Sequence, residues 1–254
     1  VLRYTIFSLL GMALAACAGG GRGNLPPAVH LTFDDVYTHE WYAADTLFAR
    51  YGARCTFFLT HLHQLDSSDY ARMLWLQQQG HEIGCHGLSH AQPVQYIDSA
   101  GIEAYLKVEV DSAIAMLRAK GFSISTFAFP HGVYSQALAD SLCARGLRLR
   151  GGIYNQTSWL HRRPRTFDKL DIYRTEPGQC LTEAMGIDRI FNNTMHHILA
   201  GIRHCATHQK ALVVYAHRIN DAEERYSVHP ALLDSILKAG TKLGVAFVPF
   251  GEGE

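Results

Sequence analysis

Ala28-Val29-His30-Leu31-Thr32-Phe33-Asp34-Asp35 decides how this chain of 254 residues is read. A mostly apolar run that stops at two adjacent carboxylates reads as a short buried strand with a chemically useful end. The end of a strand is where α/β proteins gather their working groups. Side chains alternate along an extended chain, so Asp34 and Asp35 are expected to face different partners. One acid is then free to bind a metal and the other to move protons. Asp is also a favoured cap where a strand gives way to a turn or helix, so the pair alone carries either meaning.

Working outward, strand and helix patterns alternate. Glu40 to Arg50 has apolar residues at helical spacing, Cys55 to Thr60 reads as a strand, Ser67 to Gln79 as a helix, and His81 to His86 as a third strand. Asp98 to Lys120 carries the longest helical pattern, followed by a strand at Thr126 to Pro130, a helix at Ser135 to Arg145 and a strand at Leu147 to Ile153. Tyr154 to Leu170 lacks a period and reads as a long loop near the working face. A short strand at Asp171 to Arg174, a helix at Asp188 to His208, a strand at Ala211 to His217, a helix at His229 to Ala239 and a strand at Gly244 to Phe250 complete the chain. This order predicts an α/β fold with a parallel sheet and about seven strand-helix units. A barrel is expected, with an open doubly wound sheet as the alternative, because strand order is not visible in sequence.

With 48% hydrophobic residues the chain can bury one large core, so a single domain is expected. Lys plus Arg and Asp plus Glu balance at 23 each, which gives no field to draw nucleic acid. Fifteen histidines is a high count for the commonest metal-ligating side chain.

Residues 1–17 combine a cation, an apolar stretch too short to span a bilayer comfortably and small residues before Cys17, as an export signal does. Leu14-Ala15-Ala16-Cys17 also resembles the bacterial lipobox, which implies lipidation at Cys17, a membrane anchor and an extracytoplasmic place in the periplasm or outer membrane. Residues 18–27 then form a flexible tether, and 28–254 the folded domain, expected to be a monomer. The remaining Cys55, Cys85, Cys143, Cys180 and Cys205 lack CxxC spacing, so no zinc ribbon is built, and one unspecified pair is free to form a disulfide in an oxidising compartment.

His86-Gly87-Leu88-Ser89-His90 places two imidazoles at i and i+4 beyond the third strand. If that segment turns helically, both rings share a face and can grip one cation, and a third ligand would complete a site with an open position. The run Phe127-Ala128-Phe129-Pro130-His131-Gly132 follows at the next strand end, and Val213-Val214-Tyr215-Ala216-His217 at a later one.

Taken together, these motifs resemble the polysaccharide deacetylases of carbohydrate esterase family 4, the NodB homology domain, over roughly residues 28 to 250. The resemblance implies a distorted (β/α) barrel and a divalent metal on Asp35, His86 and His90, with zinc first and cobalt, nickel or iron as alternatives. It implies Asp34 as general base, His217 as general acid, and a backbone N–H after Pro130, that of His131, for the oxyanion. The substrate class is an acetylated carbohydrate, most simply the N-acetyl groups of an amino-sugar polymer, with an O-acetyl ester of the xylan type as the alternative.

Two departures from the family pattern stand out. The third-motif Arg that pairs with the base is Ala128 here, for which Arg174 is a candidate replacement. No clean fourth motif supports the catalytic His, with Asp168 and Asp171 as weak candidates. A glycan-binding lipoprotein without turnover is therefore a second expectation, and a glycosidase acid pair a third that leaves the histidines unexplained. Trp159, in the irregular loop, is the aromatic best placed to meet a sugar.

Overall fold

The computed structural model describes residues 26–153 and 166–252. Cys17, the signal, most of the tether and Trp159 lie outside them. In chain order the elements are β1 (Ala28–Asp35), α1 (Thr38–Arg50), β2 (Thr56–Leu59), α2 (Ser67–Gln78), β3 (Glu82–Cys85), α3 (Pro93–Ala100) and α4 (Ile102–Tyr105). A π-helical turn, Leu106–Asp111, leads into α5 (Ser112–Ala119), then β4 (Thr126–Ala128), α6 (Gln136–Ala144) and β5 (Arg148–Arg150). After the undescribed segment come β6 (Tyr173–Arg174), β7 (Leu181–Thr182), β8 (Met185–Gly186), α7 (Met195–His208), β9 (Ala211–Ala216), β10 (Arg218–Ile219), β11 (Ser227–Val228), α8 (Pro230–Lys242) and β12 (Ala246–Phe247).

The strands run β6-β9-β1-β2-β3-β4-β5-β7, and all pairings in this sheet are parallel except β6 with β9. The segment from β7 to β8 nearly closes it into a barrel. Its first half lies on β5, where Gly151 N–H donates to Thr182 O at 3.0 Å, and its second half on β9, where Ile187 N–H donates to Tyr215 O at 2.8 Å. The expected barrel is thus the architecture found, and the open sheet is not.

Alternation along the strands sorts the two faces. Val29, Leu31 and Phe33 of β1 pack outward into the large core with Trp41 and Phe48 of α1 and Leu233 and Leu237 of α8. His30, Thr32 and Asp34 are the opposite set: Thr32 donates to Val214 O at 3.1 Å and His30 Nδ1 donates to Val248 O at 3.1 Å. Phe58, Ala128, Val213, Tyr215 and Phe250 fill the barrel interior as a separate small cluster. Gly84 of β3 is required there, since a Cβ would sit 2.4 Å from the Phe58 ring.

The stretch Phe250-Gly251 plugs the floor of the barrel. Glu82 accepts from Thr56 Oγ1 at 2.8 Å, Thr126 Oγ1 at 2.9 Å and Gly251 N–H at 2.8 Å. Arg148 Nη1 donates to Gly251 O at 2.8 Å, and Arg174 Nη2 to Phe250 O at 2.7 Å. His81 is a satisfied core residue, between Asp45 at 2.9 Å and the Cys55 N–H at 2.9 Å.

The long helix expected from Asp98 to Lys120 is interrupted. It starts earlier, at Pro93, breaks at Gly101 (φ +86°) and widens into the π turn before α5. The helix expected from Asp188 begins only at Met195, after a 3-10 turn at Arg189–Phe191. Cys143 of α6 and Cys180 just before β7 form a disulfide, while Cys55, Cys85 and Cys205 are buried thiols.

Candidate active site and metal centre

Asp34, Asp35, His86, His90, His131, Arg150, Tyr215, His217 and Tyr226 line one cavity of about 340 Å³ at the strand ends. β1, β2 and β3 run parallel in register, Asp35 beside Leu59 and Leu59 beside Cys85, so His86 emerges level with the acids. The donor atoms of Asp35, His86 and His90 all lie within 4.8 Å of one another. His90 Nε2 is 3.6 Å and His86 Nε2 is 3.9 Å from Asp35 Oδ1.

The two imidazoles converge by a different route from the helical turn expected. Residues 86–90 form a loop in which Gly87 (φ +79°) and His90 (φ +64°) are left-handed. Asp35 also departs from the extended chain, at φ +87°, so its carboxylate opens onto the same cavity as that of Asp34 rather than an opposite face. His61 (φ +45°) and His131 (φ +59°), whose rings lie 5.6 Å and 4.5 Å from that of His90, complete a ring of residues in this sparsely populated region. Such strain persists only where the surroundings over-determine it, and it gathers at functional sites.

The donor set fits a divalent cation. His86 Nδ1 donates to Ala128 O at 2.8 Å, which fixes the tautomer and leaves the Nε2 lone pair facing Asp35. Burial, with the Arg150 charge, holds His86 well below the usual imidazole range; burial, with His86 and His131, brings His90 down to about 3. Both rings are therefore neutral ligands at neutral pH, the form a metal needs. Burial pushes the Asp35 carboxyl up against the opposing charge of His217. Oδ1 of Asp34 and Oδ1 of Asp35 are buried without a hydrogen-bond partner among the described residues, a cost that a cation or substrate would relieve.

Asp34 does have an orienting partner, and it is Arg150. Nη2 of Arg150 donates to Asp34 Oδ2 at 2.5 Å, with the guanidinium held 5.5 Å from the centre of the Phe58 ring and 4.9 Å from that of Tyr215. In the sheet Arg150 of β5 is the direct neighbour of Ala128 of β4. The cation missing from the third motif thus stands one strand over at the same level, beside a residue small enough to admit it. Arg174, the candidate from sequence, is at the other end of the barrel: it pairs with Ala211 at the start of β9, whereas Phe33, next to Asp34, pairs with Ala216 at its end. Five residues of strand is roughly 16 Å, beyond the reach of an Arg side chain.

His217 also has a partner that sequence reasoning missed. Asp188 accepts from His217 Nδ1 at 2.6 Å and from its backbone N–H at 3.1 Å, and Trp41 Nε1 donates to His217 O at 2.8 Å. Burial works against the charged imidazole, but the Asp188 hydrogen bond and charge, with Asp34 and Asp35, outweigh it and hold the group up at about 9. Asp168 lies instead in the turn Phe167–Lys169, and Asp171 lines a separate cavity with Tyr134 and Glu183. Asp188 follows β8, so the segment that closes the barrel also delivers this acid. Pro130 is buried in a 3-10 turn, and His131 is exposed at the cavity edge.

The polysaccharide deacetylase family matches residues 22–149, half of the chain. The chain belongs to that family. Among solved structures, the fold is similar to the catalytic domain of a peptidoglycan N-acetylglucosamine deacetylase from Eubacterium rectale (19% identity, 94% of this chain and 93% of that one, TM-score 0.53). It is also similar to a chitin deacetylase from Colletotrichum lindemuthianum (15% identity, 89% and 87%, TM-score 0.58) and a polysaccharide deacetylase from Bacillus cereus (17% identity, 89% and 93%, TM-score 0.51). At these identities the likeness speaks for the barrel and not for a substrate. No curated protein sequence matches. In this chain the partner of Asp34 comes from β5 and the partner of His217 from the stretch after β8.

Proposed function

We propose that this polysaccharide deacetylase is a metal-dependent amidase that removes N-acetyl groups from an amino-sugar polymer. The observation that carries the reading is the convergence of the Asp35, His86 and His90 donor atoms on a cavity that Asp34 and His217 share. Asp35, His86 and His90 would hold the cation, and two imidazoles with one carboxylate suit Zn²⁺ first, then Co²⁺, Ni²⁺ or Fe²⁺. When bound, the cation supplies Lewis-acid polarisation of the acetyl carbonyl and makes water easier to deprotonate.

The chain's own groups then divide the proton work. Arg150 occupies Oδ2 of Asp34, so Oδ1 is the oxygen that takes the proton of the attacking water. The backbone N–H of His131 is the donor for the developing oxyanion. His217, oriented by Asp188 through Nδ1, gives the proton on Nε2 to the leaving nitrogen. An amine leaves a tetrahedral carbon only after protonation, so an imidazole whose charged form is favoured by the Asp188 hydrogen bond and charge suits an amide. The idea of a glycan binder without turnover rested on Asp34 and His217 lacking partners, and no observation now favours it.

Full-length protein loaded with Zn²⁺ should release acetate from N-acetyl chitooligosaccharides or peptidoglycan faster than from acetylated xylan, and should lose the activity in Asp34→Asn. Loaded protein that releases no acetate from any of the three contradicts the proposal, and preference for xylan contradicts its amide assignment.

We also propose export and anchoring by lipid at Cys17, with the folded domain acting as a monomer outside the cytoplasm. The Cys143–Cys180 disulfide supports an oxidising compartment. Cys17→Ala should leave the protein in the soluble fraction, and an unchanged membrane fraction would count against the anchor.

A further inference from the structure

The loop that carries His90 is held by one buried acid. Glu109 is 2% exposed and spends both carboxylate oxygens on Ser89: Oε2 accepts from the backbone N–H at 2.9 Å and Oε1 from the hydroxyl at 2.5 Å. Ser89 directly precedes His90, which sits at φ +64°. A β-carbon residue in that region is strained and needs external support. On the other side of the loop Leu62 N–H donates to Leu88 O at 3.1 Å. Gly87 makes the approach possible, because a Cβ there would stand 3.1 Å from Glu109 Oε2 and 3.3 Å from Pro130 Cγ.

Two features argue that Glu109 is more than filler. Among the described residues no cation pairs with it, so its carboxyl group is kept buried on hydrogen bonds alone, an arrangement that an apolar side chain would avoid. It also sits in the π-helical turn Leu106–Asp111. A π turn widens the helix by one residue, is rare, and occurs mostly at functional sites. Glu109 shares the buried face of this helical stretch with Tyr105, Leu106, Val110 and Ala113, and from there it reaches Ser89.

We propose that Glu109 is a positioning residue for the metal centre. Acting through Ser89, it holds the Gly87–His90 loop in the left-handed turn that aims His90 at Asp35 and His86. The inference rests on the metal reading given above, and it assigns to β3's following loop a support from the helical layer rather than from the barrel. Removing such a support typically lowers metal affinity about 10- to 100-fold.

The test is Zn²⁺ affinity of the full chain, measured by competition with a chromophoric chelator, together with the visible absorption of the Co²⁺-loaded protein. Glu109→Ala should weaken Zn²⁺ binding about 10- to 100-fold and alter the Co²⁺ spectrum. Glu109→Gln should rescue most of the affinity, since its amide oxygen still accepts from the Ser89 N–H and its amide nitrogen can donate to the hydroxyl. A purely structural acid would move Tm and leave both metal readouts alone. Folded Glu109→Ala with wild-type affinity and spectrum overturns the proposal. If Glu109→Ala fails to fold, Ser89→Ala takes its place: a loss of about fivefold, one hydrogen bond's worth, supports the assignment, and unchanged affinity overturns it. Wild-type protein that binds no Zn²⁺ sinks the metal reading itself, a failure distinct from equal binding by the variants.

Discussion

Arg150 and Asp34, 116 residues apart in sequence, share a 2.5 Å hydrogen bond in the barrel interior. The pair is closed off by the Phe58 and Tyr215 rings, and its side chains are 1% and 4% exposed. A charge buried to that degree is stable only with its partner, so the pair stands or falls together, and the guanidinium chooses which Asp34 oxygen stays free.

Arg150→Ala should therefore cost about 3–5 kcal/mol of stability, read by denaturant unfolding, because it strands a buried carboxylate. Activity should fall at least about 100-fold through misplacement of the base. Moving the cation back one strand, as Arg150→Ala with Ala128→Arg, should recover part of both. Recovery of neither would mean that the two neighbouring positions are not interchangeable supports for Asp34.

The His217–Asp188 pair makes a signed prediction about pH. In metal-free protein the imidazole is held up at about 9, above its unfolded value of about 6.5. The folded state therefore binds the extra proton, and the pair's stabilisation is fully present below about pH 6.5 and lost as pH rises through about 9. Melting temperatures of chelator-treated wild type and Asp188→Asn should differ most near pH 6 and converge above pH 9. A gap that is constant with pH would show that Asp188 does not hold that proton. In the loaded enzyme, Asp188→Asn should move the alkaline limb of kcat to lower pH.

The Cys143–Cys180 bridge closes a loop with a sequence separation of 37 and anchors the segment that runs through β7 and β8 to Asp188. Chain-entropy reasoning puts its contribution at about 4 kcal/mol. Replacing both cysteines by Ser should lower Tm and, because the same segment carries Asp188, reduce kcat more than it changes KM. A lowered Tm with kcat untouched would confine the bridge to stability.

How much of this was legible in the sequence depends on the length of the signal. β1 and β9 are long buried strands with chemically marked ends, and both Asp34 and His217 could be picked out there. Arg148-Leu149-Arg150 carries a clue, two cations on the same side of a buried strand, but nothing local says that one binds the floor of the barrel and the other Asp34. Register with β4 decides that, and register is a long-range property. Asp188 was harder still. β7 and β8 have two residues each, too few for alternation to register, and the apolar period of α7 ran back over the acid and hid it inside a helix pattern. The i, i+4 spacing of His86 and His90 points to a helical turn, whereas left-handed residues bring the two rings together without a helix.

The most direct test of the central claim is the metal content of the purified full-length chain after dialysis against Zn²⁺, measured by elemental analysis beside Asp35→Ala, His86→Ala and His90→Ala. One tightly held zinc per wild-type chain, lost in each of the three variants while they remain folded, is the predicted result. A wild-type chain without zinc, or variants that retain it in full, would contradict the convergence of these three side chains on a common cation.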